Sequence, residues 1–392
     1  MKKASALLLA CLLFGLCSCG TQTPAAATNP TEKEKTIVNY PLDKYDLDAY
    51  MQPLWSGNIV YQESLWLVEE KDGSVPDVQL LYPATQIISV RSSDLKTEYK
   101  EGVDYTLADG KLRILPDSSI PTVAYEEYYP VNQTEKSMEL NPAYGFGYIF
   151  FSEGSVIHSM QIAVTYAHNG TFPGEIPACK KDQLPKTTAK LENGEHLRIS
   201  VYGDSISTGV NSSQKVGVLP NARPWFQMFV DKLTATYPDA TVSLHNPSVG
   251  GKKSDWGAEE AKTNVGYGPD LCIIAFGMND GTKQYSQEFY RRNIQTIIDA
   301  ARAGNPDCEF VLVATMLANP EASNFAGCQK DYLPVLLEME EEGIVVMDMT
   351  TLHGNLLTRK RYCDMTGNNV NHPNDFLARA YAQNLWQTVI GY

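Results

Sequence analysis

The second half of the chain alternates short apolar runs with helical patterns, and this alternation constrains the fold more than any other feature. Apolar runs of this length are typical of strands that a parallel sheet buries on both faces. Strands separated by helices indicate a doubly wound α/β domain, and we predict one over residues 196–392. Its five predicted strands are 199–202, 242–244, 271–276, 310–314 and 344–347.

Four helices are predicted between and after these strands. Pro224 stands at a first-turn position, which favours proline because the N–H that proline lacks has no partner there in a helix. In the longest segment, Tyr290, Ile294 and Ile298 recur on one face, and Gly304 ends the pattern. The predicted helices are 224–236, 289–303, 332–342 and 376–390.

Residues 36–185 have a different pattern, in which short β-rich runs are separated by turn sequences such as Ala108-Asp109-Gly110. Because no amphipathic helix is evident, we predict an all-β accessory domain, a jelly-roll-like antiparallel sandwich, with residues 180–195 as its connection to the second domain. Its aromatic side chains allow two interpretations, a sugar-stacking face or ordinary packing. They are Trp55, Trp66, Tyr125, Tyr128, Tyr129 and Tyr144.

The N-terminus has the pattern of a targeting segment. Lys2 and Lys3 precede an apolar stretch over residues 6–16 that is too short to span a membrane. The following Leu16-Cys17-Ser18-Cys19 resembles a bacterial lipobox, which implies a signal peptide over residues 1–19, lipid on Cys19 and a tether over residues 20–35. An exported lipoprotein of the cell envelope, held to the outer membrane or cell surface by its lipid, is the expectation. The alternative is an ordinary signal peptide cut elsewhere.

Composition limits the partners of the chain. The 392 residues carry a formal charge of −14, with no basic cluster, so nucleic acid is excluded as a partner. The cysteines beyond the signal segment are widely spaced without a C-x-x-C motif, and the histidines lack metal-ligand spacing. The sequence therefore predicts neither a metal nor another cofactor.

Four loops that follow predicted strands carry the residue types that acyl transfer needs. The first has Ser205, a candidate nucleophile, and the last has His372, a candidate base that can accept the serine proton. Between them, residues 246–251 end in two glycines and residues 277–280 contain Asn279. Close backbone N–H groups and a side-chain amide can stabilise an oxyanion. Because ligands bind at the carboxyl edge of an open α/β sheet, these loops can meet in one crevice.

These four segments resemble the sequence blocks of the SGNH hydrolases, the GDSL-type esterases and lipases. The resemblance implies a flavodoxin-like doubly wound sheet of five parallel strands. It implies that Ser205 is the nucleophile and that His372, in the His372-Pro373 pair, is the base. It also implies an oxyanion hole made of the Ser205 N–H, the Gly251 N–H and the Asn279 side chain.

One position departs from the family pattern. The family usually has an aspartate three residues before the histidine, where this chain has Asn369. A neutral amide can accept from the imidazole but stabilises imidazolium less than a carboxylate does. Three interpretations stay open: a Ser–His dyad steered by a carbonyl such as that of Asn369, orientation by Asp364, or orientation by Asp375.

The substrate is indicated less clearly. The insert 211–217 and the loop 319–329 are small and polar, whereas a lipase would be expected to have an extended apolar acyl slot. An exported β-sandwich joined to such a domain resembles bacterial carbohydrate O-acetylesterases, which implies a serine esterase that removes acetyl groups from polysaccharide through an acyl-enzyme on Ser205. Three alternatives stay open: a lipase or thioesterase, an envelope enzyme acting on acetylated peptidoglycan or capsule, and a vestigial glycan-binding lipoprotein.

Overall fold

The N-terminal part of the described chain consists of antiparallel strands. The computed structural model describes residues 38–392, so the predicted signal peptide, Cys19 and the tether lie outside the described residues. Before residue 170 the described strands are β1 (Ile59–Trp66), β2 (Ala84–Ser92), β3 (Glu98–Tyr99), β4 (Tyr105–Ala108), β5 (Lys111–Ile114), β6 (Ser137–Glu139), β7 (Tyr148–Phe150) and β8 (Gln161–His168).

Four of these strands form one sheet in the order β1-β8-β2-β3, and all its pairs are antiparallel. The strands β4 and β5 form a separate ribbon, as do β6 and β7. The turn between β4 and β5 is the predicted one, with positive φ at both Asp109 and Gly110. Residues 59–168 thus form an antiparallel β-rich region. The region contains one four-stranded sheet and two separate two-stranded ribbons, and this arrangement does not establish a sandwich of two facing sheets.

Three short helices interrupt the β-rich region, although the sequence predicts none there. They are α1 (Leu47–Tyr50), α2 (Tyr125–Tyr128) and α3 (Val156–Met160). Each is about one turn long, so an amphipathic period of 3.6 residues has no length over which to repeat.

The second half contains the predicted parallel sheet. Its strands are β9 (His196–Gly203), β10 (Thr241–His245), β11 (Leu271–Ala275), β12 (Glu309–Ala314) and β13 (Ile344–Asp348). They lie in the order β10-β9-β11-β12-β13, all parallel, so the chain reverses its direction of winding next to β9. This strand order is that of a flavodoxin-like doubly wound fold, as predicted, and it opens a crevice at the carboxyl end of β9.

Helices cover both faces of this sheet. They are α4 (Pro185–Glu192), α5 (Ser205–Thr208), α6 (Trp225–Thr236), α7 (Ser254–Glu259), α8 (Ala261–Asn264), α9 (Met278–Thr282), α10 (Gln287–Gly304), α11 (Tyr332–Leu337), α12 (Met349–Leu357) and α13 (Asp375–Val389). The predicted helices agree with α6, α10 and α13 within two residues at each end. The prediction of a helix over 332–342 is too long, because the chain turns at Glu341 and Gly343 to enter β13.

One hydrophobic core extends from the four-stranded sheet into the parallel sheet. It contains Val164 and Tyr166 of β8 together with Val201 of β9 and Leu385 of α13. Residues 38–392 accordingly form one compact unit. The predicted connection at residues 180–195 lies between the antiparallel and the parallel sheet, and the hydrophobic core is continuous across the two regions. Within these residues, no helix has the length and apolar character needed to cross a bilayer.

Candidate active site

Ser205 begins the short helix α5 directly after β9. Gly203 ends the strand, and a Cβ built on it would lie 2.3 Å from the carbonyl oxygen of Ala275, so only glycine lets β9 and β11 approach this closely. The Asp204 side chain caps α5 by accepting from the N–H of Ile206 at 3.0 Å. The serine is 8% exposed and stands at the carboxyl edge of the sheet. Strand, glycine and cap together aim its hydroxyl into the crevice.

His372 lies in the loop before α13 and reaches the same crevice. Its Nε2 atom is 2.9 Å from Ser205 Oγ, which is hydrogen-bonding distance. The structure thus brings together the predicted nucleophile and base. If Nε2 is to accept the serine proton, the imidazole carries its own proton on Nδ1, so that atom needs an acceptor.

The predicted oxyanion donors lie in two loops that hydrogen-bond to each other near Ser205. Asn279, in α9 after β11, donates from Nδ2 to the carbonyl oxygen of Lys252 at 3.0 Å. A Cβ built on Gly250 would be 3.7 Å from Ser205 Cβ. Gly251, between Gly250 and Lys252, is therefore held between the nucleophile and Asn279, and its φ of +75° favours glycine. This arrangement can present a backbone N–H and a side-chain amide to an oxyanion.

Asn369 makes no hydrogen bond to the His372 imidazole, contrary to the interpretation that its carbonyl steers the ring. Its side chain donates to the Phe150 carbonyl at 3.0 Å and to Tyr128 Oη at 3.1 Å. The backbone turns at this residue, where φ is +65°, and the Asn368 side chain stabilises the turn by accepting from the N–H groups of residues 370, 371 and 372. The turn directs residue 369 into the β-rich region and away from the imidazole.

The two aspartates considered for orienting His372 are also engaged elsewhere. Asp364 accepts from the N–H of Trp66 at 2.8 Å, and Asp375 accepts from the N–H of Ser213 at 2.8 Å. Both carboxyls serve as caps for backbone N–H groups of other segments. Neither interpretation holds in the structure.

The Nδ1 atom of His372 faces three residues that were not predicted to orient the imidazole. Glu153 Oε2 lies 3.1 Å from Nδ1, and Asn211 Oδ1 lies 3.2 Å from it. The amide nitrogen of Asn368 is 2.9 Å from the same atom. Glu153 comes from the β-rich region, 219 positions before the histidine, so no local sequence spacing connects the two. The sequence signal for Glu153 is weak: a glutamate that stands three residues after the end of β7.

The charges around the site have distinct physical causes. Burial raises the pKa of the Glu153 carboxyl, but hydrogen bonds from His372 and Asn368 lower it more, so the pKa lies below its ordinary value of 4.5. Burial raises the pKa of Asp204 from 3.8 to about 7, and the nearby Asp280 contributes in the same direction. The Glu153 carboxyl beside the imidazole is therefore ionised at neutral pH.

Known proteins resemble this chain over about half of its length. Residues 201–380 match the model of the GDSL-like Lipase/Acylhydrolase family. A two-domain esterase active on acetylated mannans, co-crystallised with mannopentaose, is similar at 22% identity and a TM-score of 0.43, over 53% of this chain and 53% of that chain. The match thus spans about half the length of that esterase. No curated protein matches the chain.

Two further solved structures are similar. One is an alpha/beta hydrolase enzyme from the metagenome of Lake Arreo in Spain, with 17% identity and a TM-score of 0.40 over 48% of this chain and 93% of that one. The other is an acetylxylan esterase from Geobacillus stearothermophilus, with 16% identity and a TM-score of 0.41 over 50% and 94%. The family model covers Ser205, Gly251, Asn279 and His372. Residues 201–380 are therefore similar to the GDSL-like Lipase/Acylhydrolase family, and all four of these residues lie within the matched range.

Proposed function

We propose that the protein is a serine esterase that removes acetyl groups from carbohydrate through an acyl-enzyme on Ser205. The observation that carries the proposal is the 2.9 Å contact between Ser205 Oγ and His372 Nε2. A serine hydroxyl is a weak nucleophile until a base accepts its proton, and this contact supplies the base.

The proposed reaction has two halves. In the first, Ser205 Oγ attacks the acetyl carbonyl carbon, its proton passes to His372 Nε2, and donors including Asn279 and the Gly251 N–H hold the oxyanion. The imidazolium then gives that proton to the departing sugar oxygen as the C–O bond breaks. In the second half, water attacks the acyl-enzyme with His372 as base, and acetate leaves Ser205.

The surroundings of the nucleophile support a short acyl group. The side chains of Asn211 and Glu153, which face His372 Nδ1, are polar. A lipase could have an apolar lid in the loop 319–329. Here the loop is tied to the His372 loop by a hydrogen bond from Asn319 Nδ2 to the Asn369 carbonyl at 2.7 Å. A lipase or thioesterase with a long acyl chain is the second candidate within the same chemistry.

The membrane anchor and the export belong to the proposal. The motif Leu16-Cys17-Ser18-Cys19 supports lipid on Cys19, which would hold the enzyme at the cell envelope near acetylated polysaccharide. We expect labelled palmitate to be incorporated by the wild type and lost in Cys19→Ala. Incorporation that survives the substitution would contradict the anchor and leave the esterase chemistry untouched.

The activity is tested by acetate release from acetylated xylan, mannan and peptidoglycan. We expect release from a polysaccharide, and we expect p-nitrophenyl acetate to be cleaved faster than the octanoate ester. Ser205→Ala should lower turnover by at least about 10⁴-fold, with exposed Ser159→Ala as the matched control. A preference for octanoate favours the lipase or thioesterase. Glycan binding without turnover or fluorophosphonate labelling favours a vestigial binding protein.

A further inference from the structure

We infer that Glu153 is the positioning carboxylate of the active site, which makes the β-rich region a working part of the catalytic machinery. The inference rests on the proposed esterase function and adds to it a residue from outside the matched range 201–380. The Glu153 carboxylate accepts the Nδ1–H of His372 at 3.1 Å and so holds the imidazole with Nε2 toward the serine.

The carboxylate is held by both of its oxygens. Oε2 faces His372 Nδ1, and Oε1 accepts from Asn368 Nδ2 at 2.9 Å. Asn368 is itself rigidly placed, because its Oδ1 accepts from three successive backbone N–H groups, the last being that of His372. The Asn368 side chain thus hydrogen-bonds to both the His372 backbone and the Glu153 carboxylate.

Of the three polar groups near Nδ1, only two can accept its proton. The Asn368 nitrogen is a donor in this network, because it also donates to Glu153. Asn211 Oδ1 is a neutral acceptor at 3.2 Å. The Asn211 amide nitrogen donates to the carbonyl oxygens of Gly154 and Gly367, which fixes its oxygen toward the imidazole. The histidine therefore has a charged acceptor and a neutral one side by side.

Packing fixes the segment that carries Glu153. Ile149 and Phe150 of β7 share a buried cluster with Val370 of the histidine loop. The Phe151 N–H donates to the Lys136 carbonyl at 3.0 Å, which continues the β6–β7 ribbon to within two residues of Glu153. The loop and the ribbon are thus joined by apolar contact as well as by hydrogen bonds. These contacts hold the backbone that carries Glu153 next to the loop of His372.

The loss of kcat expected on substitution differs between the two acceptors of the His372 proton, Glu153 and Asn211. Glu153→Gln keeps the shape of the side chain but removes the charge that stabilises imidazolium, so kcat should fall between about 10²- and 10⁴-fold. KM should change by less than about twofold, because the interaction strengthens only as the imidazole gains its proton. Asn211→Ala should cost less than Glu153→Gln, and the double variant should be slower than either, because each acceptor partly replaces the other.

The experiment measures kcat and KM for p-nitrophenyl acetate, fluorophosphonate labelling rate and thermal unfolding on the full chain. Glu135→Gln, an exposed glutamate before the same ribbon, is the matched control and should behave like the wild type. Glu153→Asp should recover part of the lost kcat, because it restores a carboxylate. The Glu153 side chain is 47% exposed, so the unfolding midpoint should stay unchanged.

Three outcomes overturn the inference. One is Glu153→Gln activity within about threefold of the wild type while Ser205→Ala is inactive; the proposed function then stands without this residue. A second is a loss of kcat that follows a lowered unfolding midpoint in both Glu153→Gln and Glu153→Asp, which assigns Glu153 a structural role. The third is Ser205→Ala with wild-type turnover, which removes the proposed function and the inference together.

Discussion

The Nε2 atom of His372 lies 2.9 Å from Oγ of Ser205, although 167 positions separate the two residues. Because they act as a unit, their substitutions should not add. His372→Ala and Ser205→Ala should each lower kcat by at least about 10⁴-fold, and the double variant should be little slower than either. Stopped-flow or steady-state turnover of p-nitrophenyl acetate measures this. Additive losses would mean that the two side chains act in separate steps.

Asn279 should contribute to the rate and not to the affinity. Its amide nitrogen donates to the Lys252 carbonyl at 3.0 Å and lies 3.5 Å from Oδ2 of Asp204, the residue before Ser205. Asn279→Ala removes a donor that binds the oxyanion, so we expect kcat to fall about 10²- to 10³-fold with little change in KM. Steady-state kinetics on a short-chain ester distinguish the two parameters. A rise in KM at unchanged kcat would instead make Asn279 a substrate-binding residue.

Gly203 should tolerate no side chain. A methyl group there would lie 2.3 Å from the Ala275 carbonyl oxygen, so Gly203→Ala must separate β9 from β11. We expect a loss of at least about 2 kcal/mol in the free energy of unfolding. Gly354 in α12 is the matched control, because a Cβ there meets nothing closer than 4.0 Å. Gly354→Ala should stabilise by up to about 1 kcal/mol. Urea denaturation measures both, and equal effects would refute the steric argument.

Asp204 should make the protein less stable as the pH rises. Burial raises its pKa in the folded protein from 3.8 to about 7, so between these values the native state binds more protons than the unfolded chain. Stability therefore falls as pH rises through this window and is lowest above pH 7. Asp204→Asn should keep the cap on the Ile206 N–H and flatten the dependence. Unfolding midpoints from pH 4 to 8 test this, with exposed Asp239→Asn as the control. An unchanged slope in Asp204→Asn would contradict the assignment.

A buried ion pair should couple the β-rich region to the parallel-sheet region. Lys360 Nζ lies 2.7 Å from Glu63 Oε1, and both side chains are fully buried. Lys360→Met leaves the Glu63 charge without its cation, so we expect a loss of about 3–5 kcal/mol in the free energy of unfolding. Adding Glu63→Gln should recover part of that loss. Chemical denaturation with one transition would show that both regions unfold together, whereas two transitions would show that they unfold separately.

Much of the site could be predicted because its residues follow strands directly. Ser205 comes two residues after β9, and Asn279 comes four residues after β11. In a parallel sheet the carboxyl ends of the strands meet at one edge, so strand order alone brings these loops together. The five apolar runs and the residue types that follow them are properties of local sequence, and for that reason they could be identified before the structure.

The acceptor of the histidine proton could not be predicted in the same way. Asn369 occupies the expected position, but a left-handed turn with φ of +65° directs its side chain toward Phe150. Glu153 reaches Nδ1 only because the β6–β7 ribbon packs against the loop of His372. That contact depends on side-chain packing between two distant regions, and such packing produces no periodic pattern or fixed residue spacing in the sequence.

The amino-acid sequence by itself therefore determined the parallel sheet and predicted that Ser205 and His372 meet at its edge, because both depend on short-range patterns and on strand order. Only the tertiary structure decided which side chain faces the far nitrogen of His372, and that the β-rich region shares a core with the second half of the chain. Contacts between distant segments depend on how buried surfaces fit together, and that fit is set by the whole fold.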